Sequence, residues 1–161
     1  MTAPDNALLL DHQLCFALYN ASRALIRAYG PLLEPLGLTY PQYLAMLILW
    51  EDKSASVKAL GERLALDSGT LTPLLKRMER SGLITRRRDT QDERVVRIEL
   101  TAAGQRLRTK AKHVPTEIAC SAGFDPTDER DRAYSIRLRQ ELTMLSERIN
   151  ATGKQNTTDQ R

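Results

Sequence analysis

The chain has 161 residues, with 24 Lys and Arg against 20 Asp and Glu, a formal net charge of +4, and only 5% aromatic residues. That length suits one domain with a modest core. No 18-residue apolar run is present to span a membrane. Met1-Thr-Ala-Pro-Asp-Asn lacks the basic start and cleavage pattern of a signal peptide. Cys15 and Cys120 lie far apart, and His12 and His113 are singletons, so neither a disulfide framework nor a zinc site is expected. The composition points to a cytoplasmic protein with no cofactor.

Residues before Leu8 read as loose. Asp11 is a candidate N-cap for a first helix running to about Tyr29 and stopping at Gly30-Pro31. Leu14, Leu18, Leu25 and Tyr29 form one stripe, and Cys15, Tyr19, Ser22, Ile26 and Tyr29 an adjacent one. The apolar arc is wider than one packing partner in a small domain needs, which leaves part of it for a second subunit. Pro31 to Gly37 reads as a linker. Thr39 with Gln42 spells a capping box, and Tyr43 to Trp50 a buried helix. Glu51 to Ala55 reads as a turn, and Ser56 as the cap of the next helix.

Val57 to Leu66 is a short helix carrying Leu60 and Leu64. Asp67 to Arg80 follows, with Leu71, Leu74, Leu75 and Met78 at i, i+3, i+4 and i+7. Ser68, Thr72, Lys76 and Arg77 then face outward. Pro73 is tolerable because it lies near the helix start, with Gly69 four residues back. Gly82 suits the left-handed position that ends a helix. Two short helices joined by a few residues, the second polar and basic outside, make a helix-turn-helix candidate. A hairpin follows, from Leu83 through Arg88 and from Val95 through Leu100, with a polar tip between its arms. Lys76 to Arg97 holds eight Lys and Arg against four Asp and Glu, a net +4 that equals the formal charge of the whole chain. Positive charge is concentrated where phosphate binding would require it.

Thr101 can cap a long helix from Ala102 to about Ser121, kinked at Pro115. Ala122 to Pro126 breaks the chain, and Thr127 begins a last helix with Tyr134, Leu138, Leu142, Leu145 and Ile149 on one face. The helices outside the DNA-binding unit carry more apolar surface than one such domain can cover, so a homodimer is expected. Two recognition helices about 34 Å apart would then read a pseudo-palindrome in double-stranded DNA.

Leu60-Gly-Glu-Arg-Leu64, Arg80-Ser-Gly-Leu-Ile84, Asp92-Glu-Arg94 and Leu100-Thr-Ala-Ala-Gly104 resemble the winged helix-turn-helix of the MarR family of bacterial transcription regulators. The resemblance covers roughly Leu8 to Ile149. Gly69-Thr-Leu-Thr-Pro-Leu-Leu-Lys-Arg77 and a cysteine in the first helix are similar to its organic-hydroperoxide sensors, the OhrR proteins. The fold so implied is mainly α with a small β-hairpin wing. Residues 8–36 and 101–150 form dimerisation helices, 38–100 the winged helix-turn-helix, and 151–161 a disordered tail. DNA contacts are expected from Ser68, Thr70, Thr72, Lys76 and Arg77 in a major groove. Arg94, oriented by Asp92, would enter a minor groove, and Arg86 and Arg88 would meet phosphates.

Most cysteines of such domains are small buried hydrophobes. Cys15 departs from this by its place near a helix N-terminus, where the dipole favours a thiolate, and by Tyr19 one turn along. Tyr29 is about 21 Å further along a straight helix at ~1.5 Å per residue, out of reach of Cys15 in its own chain. The OhrR resemblance implies that Tyr29 and Tyr40 hold the sensing thiolate across a dimer, and that Cys120 resolves the oxidised Cys15. It implies a repressor, not an enzyme, with an organic hydroperoxide as signal. Two other readings stay open: a MarR-type regulator released by a small aromatic ligand, and a thiol peroxidase. The second lacks a Cys-x-x-Cys motif and leaves the basic wing unexplained.

Overall fold

The computed structural model describes residues 6–90 and 92–158, with side chains to residue 152. Two compact units divide the chain, one reaching Pro115 and one beginning at Thr116.

In the first unit a 3-10 turn, Leu10–His12, precedes helix α1, Leu14–Leu33. The N-cap is Gln13, not Asp11, which lies inside the 3-10 turn; the Gln13 amide reaches back to the Ala7 and Leu9 carbonyls. The helix also runs through Gly30-Pro31 instead of stopping there. Pro31 removes one helical hydrogen bond, but burial of Leu33 and a following 3-10 turn, Glu34–Leu36, hold the end. The expected linker is therefore largely helical, and Gly37, at φ 67°, makes the left-handed exit.

Helix α2, Tyr40–Asp52, starts at the expected capping box, where Gln42 Oε1 accepts the Thr39 amide at 2.8 Å. It is the central core helix, burying Tyr43, Ala45, Met46, Ile48, Leu49 and Trp50. The expected turn after it contains strand β1, Ser54–Ser56, which pairs antiparallel with β3, Val96–Leu100. Ser-Ala-Ser carries no β-branched signal; the strand exists because β3 offers it an edge. Strand β2, Ile84–Arg88, pairs with the other edge of β3, giving the order β1-β3-β2.

Between β1 and β2 lie α3, Val57–Leu64, and α4, Ser68–Arg80. Ser56 Oγ caps α3 by accepting the Ala59 amide at 3.0 Å. At its other end Ala65 is left-handed, φ 52°, and the Ala65 and Leu66 amides donate to Glu62 O and Gly61 O at 3.3 and 3.0 Å. These are the paired bonds of a Schellman ending. Helix α4 buries Leu71, Leu74, Leu75 and Met78, as the periodicity predicts. Gly82, at φ 69°, closes it, with Leu83 N donating to Met78 O at 3.1 Å.

Thr101 Oγ1 caps α5, Ala102–Ala111, accepting the Gly104 amide at 3.0 Å. The single kinked helix expected up to Ser121 is two helices, with α6 spanning Val114–Ser121. The break precedes Pro115, which has no N–H to donate to Ala111, four residues back at the end of α5, and whose ring would crowd that carbonyl.

In the second unit Gly123, at φ 81°, turns the chain. Asp128 Oδ1 accepts the Arg130 and Asp131 amides at 2.8 and 3.0 Å and starts α7, Glu129–Thr158, two residues later than Thr127 would have placed it. The helix continues through 151–158, where a disordered tail is expected from composition; residues 1–5 and 159–161 lie outside the described residues. Tyr134, Leu142 and Ile149 are exposed along α7. No described helix is long and apolar enough to cross a membrane.

Candidate nucleic-acid interface and redox site

Helix α4 presents Ser68, Thr70, Lys76 and Arg77 to solvent, with Thr72 half-buried beside them. Its first turn is built by Asp67. One carboxylate oxygen accepts the Thr70 amide at 3.0 Å and the other the Thr70 hydroxyl at 2.9 Å. These Thr70 bonds, the backbone one foremost, hold the Asp67 carboxyl below its ordinary pKa. The Thr70 hydroxyl is thus engaged at the cap. Asp67-Ser-Gly-Thr70 carried that capping signal in the sequence.

In the wing, the register Ile84↔Leu100, Arg86↔Ile98 and Arg88↔Val96 puts Arg86 and Arg88 on the face that begins at the buried Ile84. Arg87 and Arg97 stand opposite each other on the other face. Each has a carboxylate: Glu99 for Arg87 at 3.9 Å, and Asp89 for Arg97. Asp92 does not orient the Arg94 guanidinium. Its Oδ1 accepts the Arg94 backbone amide at 3.0 Å, and its carbonyl accepts Val95 N at 2.9 Å. Asp92 shapes the tip as an Asx turn, for a short side chain two residues away meets the backbone first. Arg94 is exposed.

Helix α5, which follows the wing, is joined to α2 by a buried contact that sequence reasoning missed. Trp50 Nε1 donates to Gly104 O at 2.9 Å across 54 residues. Thr101 also ties the base of the wing, its hydroxyl donating to Gly82 O at 2.6 Å.

Cys15 occupies the second position of α1, closer to the helix N-terminus than an Asp11 cap implied, and it is a free, exposed thiol. Its row is also open, with Tyr19 54% and Ile26 44% exposed, as is Leu14 of the adjacent row at 63%. Tyr19 is already engaged, its hydroxyl oxygen accepting from Arg23 Nη1 at 2.5 Å. Tyr29 and Tyr40 lie together, ring centroids 4.7 Å apart, with Tyr43 5.7 Å from Tyr29. Burial, and then the neighbouring Tyr40 and Tyr43, push the Tyr29 hydroxyl up to about 12. It is held as a neutral donor. Cys120, on α6, is likewise free and exposed. Among the described residues no group of His, Cys, Asp or Glu could hold a metal ion.

A family model described as the MarR family matches residues 38–96. The organic hydroperoxide resistance transcriptional regulator of Bacillus subtilis (strain 168) is 57% identical over 109 residues, which is 68% of this chain and 74% of that protein. Among solved structures, reduced AbfR bound to DNA superposes with a TM-score of 0.71 at 34% identity, covering 90% of this chain and 97% of that one. AbfR comes from Staphylococcus epidermidis. Its disulfide form gives a TM-score of 0.57 at 37% identity, covering 84% and 91%. With its mostly helical fold, three-stranded sheet and outward basic α4, the chain is an OhrR-like transcription regulator and belongs to the MarR family.

Proposed function

We propose that the chain is a homodimeric repressor that releases its operator when an organic hydroperoxide oxidises Cys15. The observation that carries this reading is the exposed Cys15 thiol at the second position of α1, on an apolar row left uncovered. A second subunit covering α1 and the apolar face of α7 would bury that row and make an apolar entrance for the oxidant. The DNA-bound and disulfide forms of AbfR, and the name of the Bacillus subtilis relative, support the same direction.

The chemistry needs only what the chain and its signal supply. The Cys15 thiolate attacks the distal peroxide oxygen, the O–O bond breaks, and the alkoxide leaves with a proton as an alcohol. Cys15 becomes a sulfenic acid. The Cys120 thiol of a partner subunit then displaces water to form a disulfide. Tyr29 and Tyr40 of the partner subunit donate hydroxyls to the Cys15 sulfur, since Tyr29 cannot reach it within its own helix. On DNA, Ser68, Thr70, Thr72, Lys76 and Arg77 face the major groove, Arg86 and Arg88 meet phosphates, and Arg94 enters the minor groove, shaped there by the Asp92 turn. A cytoplasmic location keeps both thiols reduced until the signal arrives.

The test uses a duplex selected by the reduced protein from a random pool. Binding is measured before and after cumene hydroperoxide, and again after thiol reduction. The wild type should release and recover, and Cys15→Ser should bind but not release. Release of Cys15→Ser by the peroxide would refute the sensor. Cys120→Ser should be oxidised yet lose recovery, and the oxidised wild type should run as a covalent dimer without reductant. Monomers with an alkylatable Cys120 would remove the resolving role.

A further inference from the structure

Arg63 lies in the last turn of α3, two residues before the left-handed Ala65. Its guanidinium forms a fork, Nη1 donating to Asp52 Oδ2 at 2.5 Å and Nη2 to Glu51 Oε2 at 2.7 Å. Both carboxylates belong to the last turn of α2. Negative charge there meets the negative end of the helix dipole and needs a cation. A planar guanidinium can satisfy two carboxylates at once, whereas an ammonium acts as a point charge.

We propose that Arg63 is a positioning residue for operator binding: by tying the end of α3 to the end of α2 it sets the turn that launches α4, and it is not itself a phosphate contact. Helix α3 is held at its start by the Ser56 cap and by β1, which is paired into the wing sheet. The Arg63 fork holds its other end. Only residues 64–67 separate Arg63 from the first residue of α4. A shift at the end of α3 therefore passes directly into the N-terminal turn of α4, where Ser68 and Thr70 sit. The fork is surface-lying, with Arg63 43% and Asp52 41% exposed, so it adds little to global stability. What it fixes is direction. A helix-turn-helix arginine would ordinarily be counted among the phosphate-seeking cations, but two carboxylates more than offset the charge of this one.

The test compares wild type, Arg63→Met, Arg63→Lys and the double variant Glu51→Gln with Asp52→Asn, all as the full reduced chain. Affinity is measured over a range of salt for a duplex selected by the wild type and for poly(dI-dC). The readout is the ratio of the two affinities, taken below the melting temperature of every variant. A positioning role lowers that ratio about tenfold in Arg63→Met and in the carboxylate double variant, the size by which supporting residues modulate a site they do not touch. Arg63→Lys, which keeps the charge but not the fork, stays low. The salt slope of Arg63→Met stays that of the wild type. A phosphate contact would instead weaken binding to both duplexes together and reduce the slope of Arg63→Met by about 0.9. The double variant would then bind the selected duplex more tightly. Either that pattern, or an unchanged ratio in all variants, overturns the proposal.

Discussion

Gly104→Ala is expected to destabilise the first unit by about 4 kcal/mol. A Cβ on Gly104 would overlap the Leu83 carbonyl oxygen and lie 3.1 Å from Leu100 Cδ2. The oxygen is not free to retreat, because it accepts the Thr101 amide at 3.0 Å and the Thr101 hydroxyl at 3.2 Å. Nor is α5 free, because Gly104 O accepts the Trp50 indole at 2.9 Å. Ordinary contact requires a movement of about 1 Å. Overpacking of that kind costs about 3 kcal/mol, at the upper end of its usual range. Loosening two of the hydrogen bonds adds about 2 kcal/mol, and alanine's better helix propensity returns about 1. Urea unfolding followed by fluorescence of Trp50, the single tryptophan, checks this at fixed protein concentration. With a slope of about 2 kcal/mol per molar urea, the midpoint should fall by roughly 2 M. Gly82→Ala is the comparison: φ is 69° there and nothing lies within 4 Å of a Cβ, so only the left-handed backbone penalty of about 1 kcal/mol applies. If Gly104→Ala moves the midpoint no further than Gly82→Ala, the overlap argument is wrong.

Arg94→Ala should weaken binding of the selected duplex while leaving the urea midpoint unchanged, since its guanidinium has no ion-pair partner among the described residues; equal affinity at moderate salt would take it out of the interface. Tyr29→Phe and Tyr40→Phe should each slow sulfenic acid formation at Cys15, followed by trapping with a carbon acid; a rate equal to wild type removes that tyrosine from the sulfur. Tyr29 also has a pH signature. Its folded pKa of about 12 lies above the ordinary 10.0, so its contribution is intact below pH 10 and is lost as pH rises toward 12. Alkaline unfolding of Tyr29→Phe should accordingly be shallower over that window. Asp67 runs the opposite way: its folded pKa is depressed below 3.8, so its contribution is present above that pH and is lost as pH falls through the folded value. The melting-temperature gap between wild type and Asp67→Ala should therefore be open at pH 7 and close in strong acid.

What the sequence made legible was local. The i, i+3, i+4, i+7 spacing of Leu71, Leu74, Leu75 and Met78 needs no distant partner, and all four are buried. The caps at Thr39, Ser56 and Thr101 and the left-handed Gly82 each act within a few residues. Features with remote causes were opaque. β1 is a strand because β3 lies beside it. The Arg63 fork joins residues 11 and 12 positions away, and Trp50 meets Gly104 across 54. Two misreadings came from competition at short range. Asp11 has the chemistry of a cap, yet the 3-10 turn passes that place to Gln13. Asp92 has the chemistry to orient a guanidinium, and the nearer Arg94 amide takes it. Tyr29 and Tyr40 could be named from the resemblance; that their rings meet at a tilt within one chain required the α1–α2 packing.

Under the major-groove role proposed for Thr70, the bond between its hydroxyl and Asp67 would bear on how the helix tells one base pair from another. A hydroxyl has one proton, and here it points inward along the helix's own first turn. The side chain then turns outward an acceptor oxygen and a methyl group, with no donor. An approaching base edge at that position meets a surface suited to the C5-methyl of thymine or the amino group of cytosine or adenine, and unsuited to the bare acceptors of guanine. Serine at this place would keep the inward bond and lose the methyl; valine would keep the methyls and lose the bond. Threonine does both, so in that role one side chain would both brace the Asp67 cap and limit the vocabulary with which the helix reads.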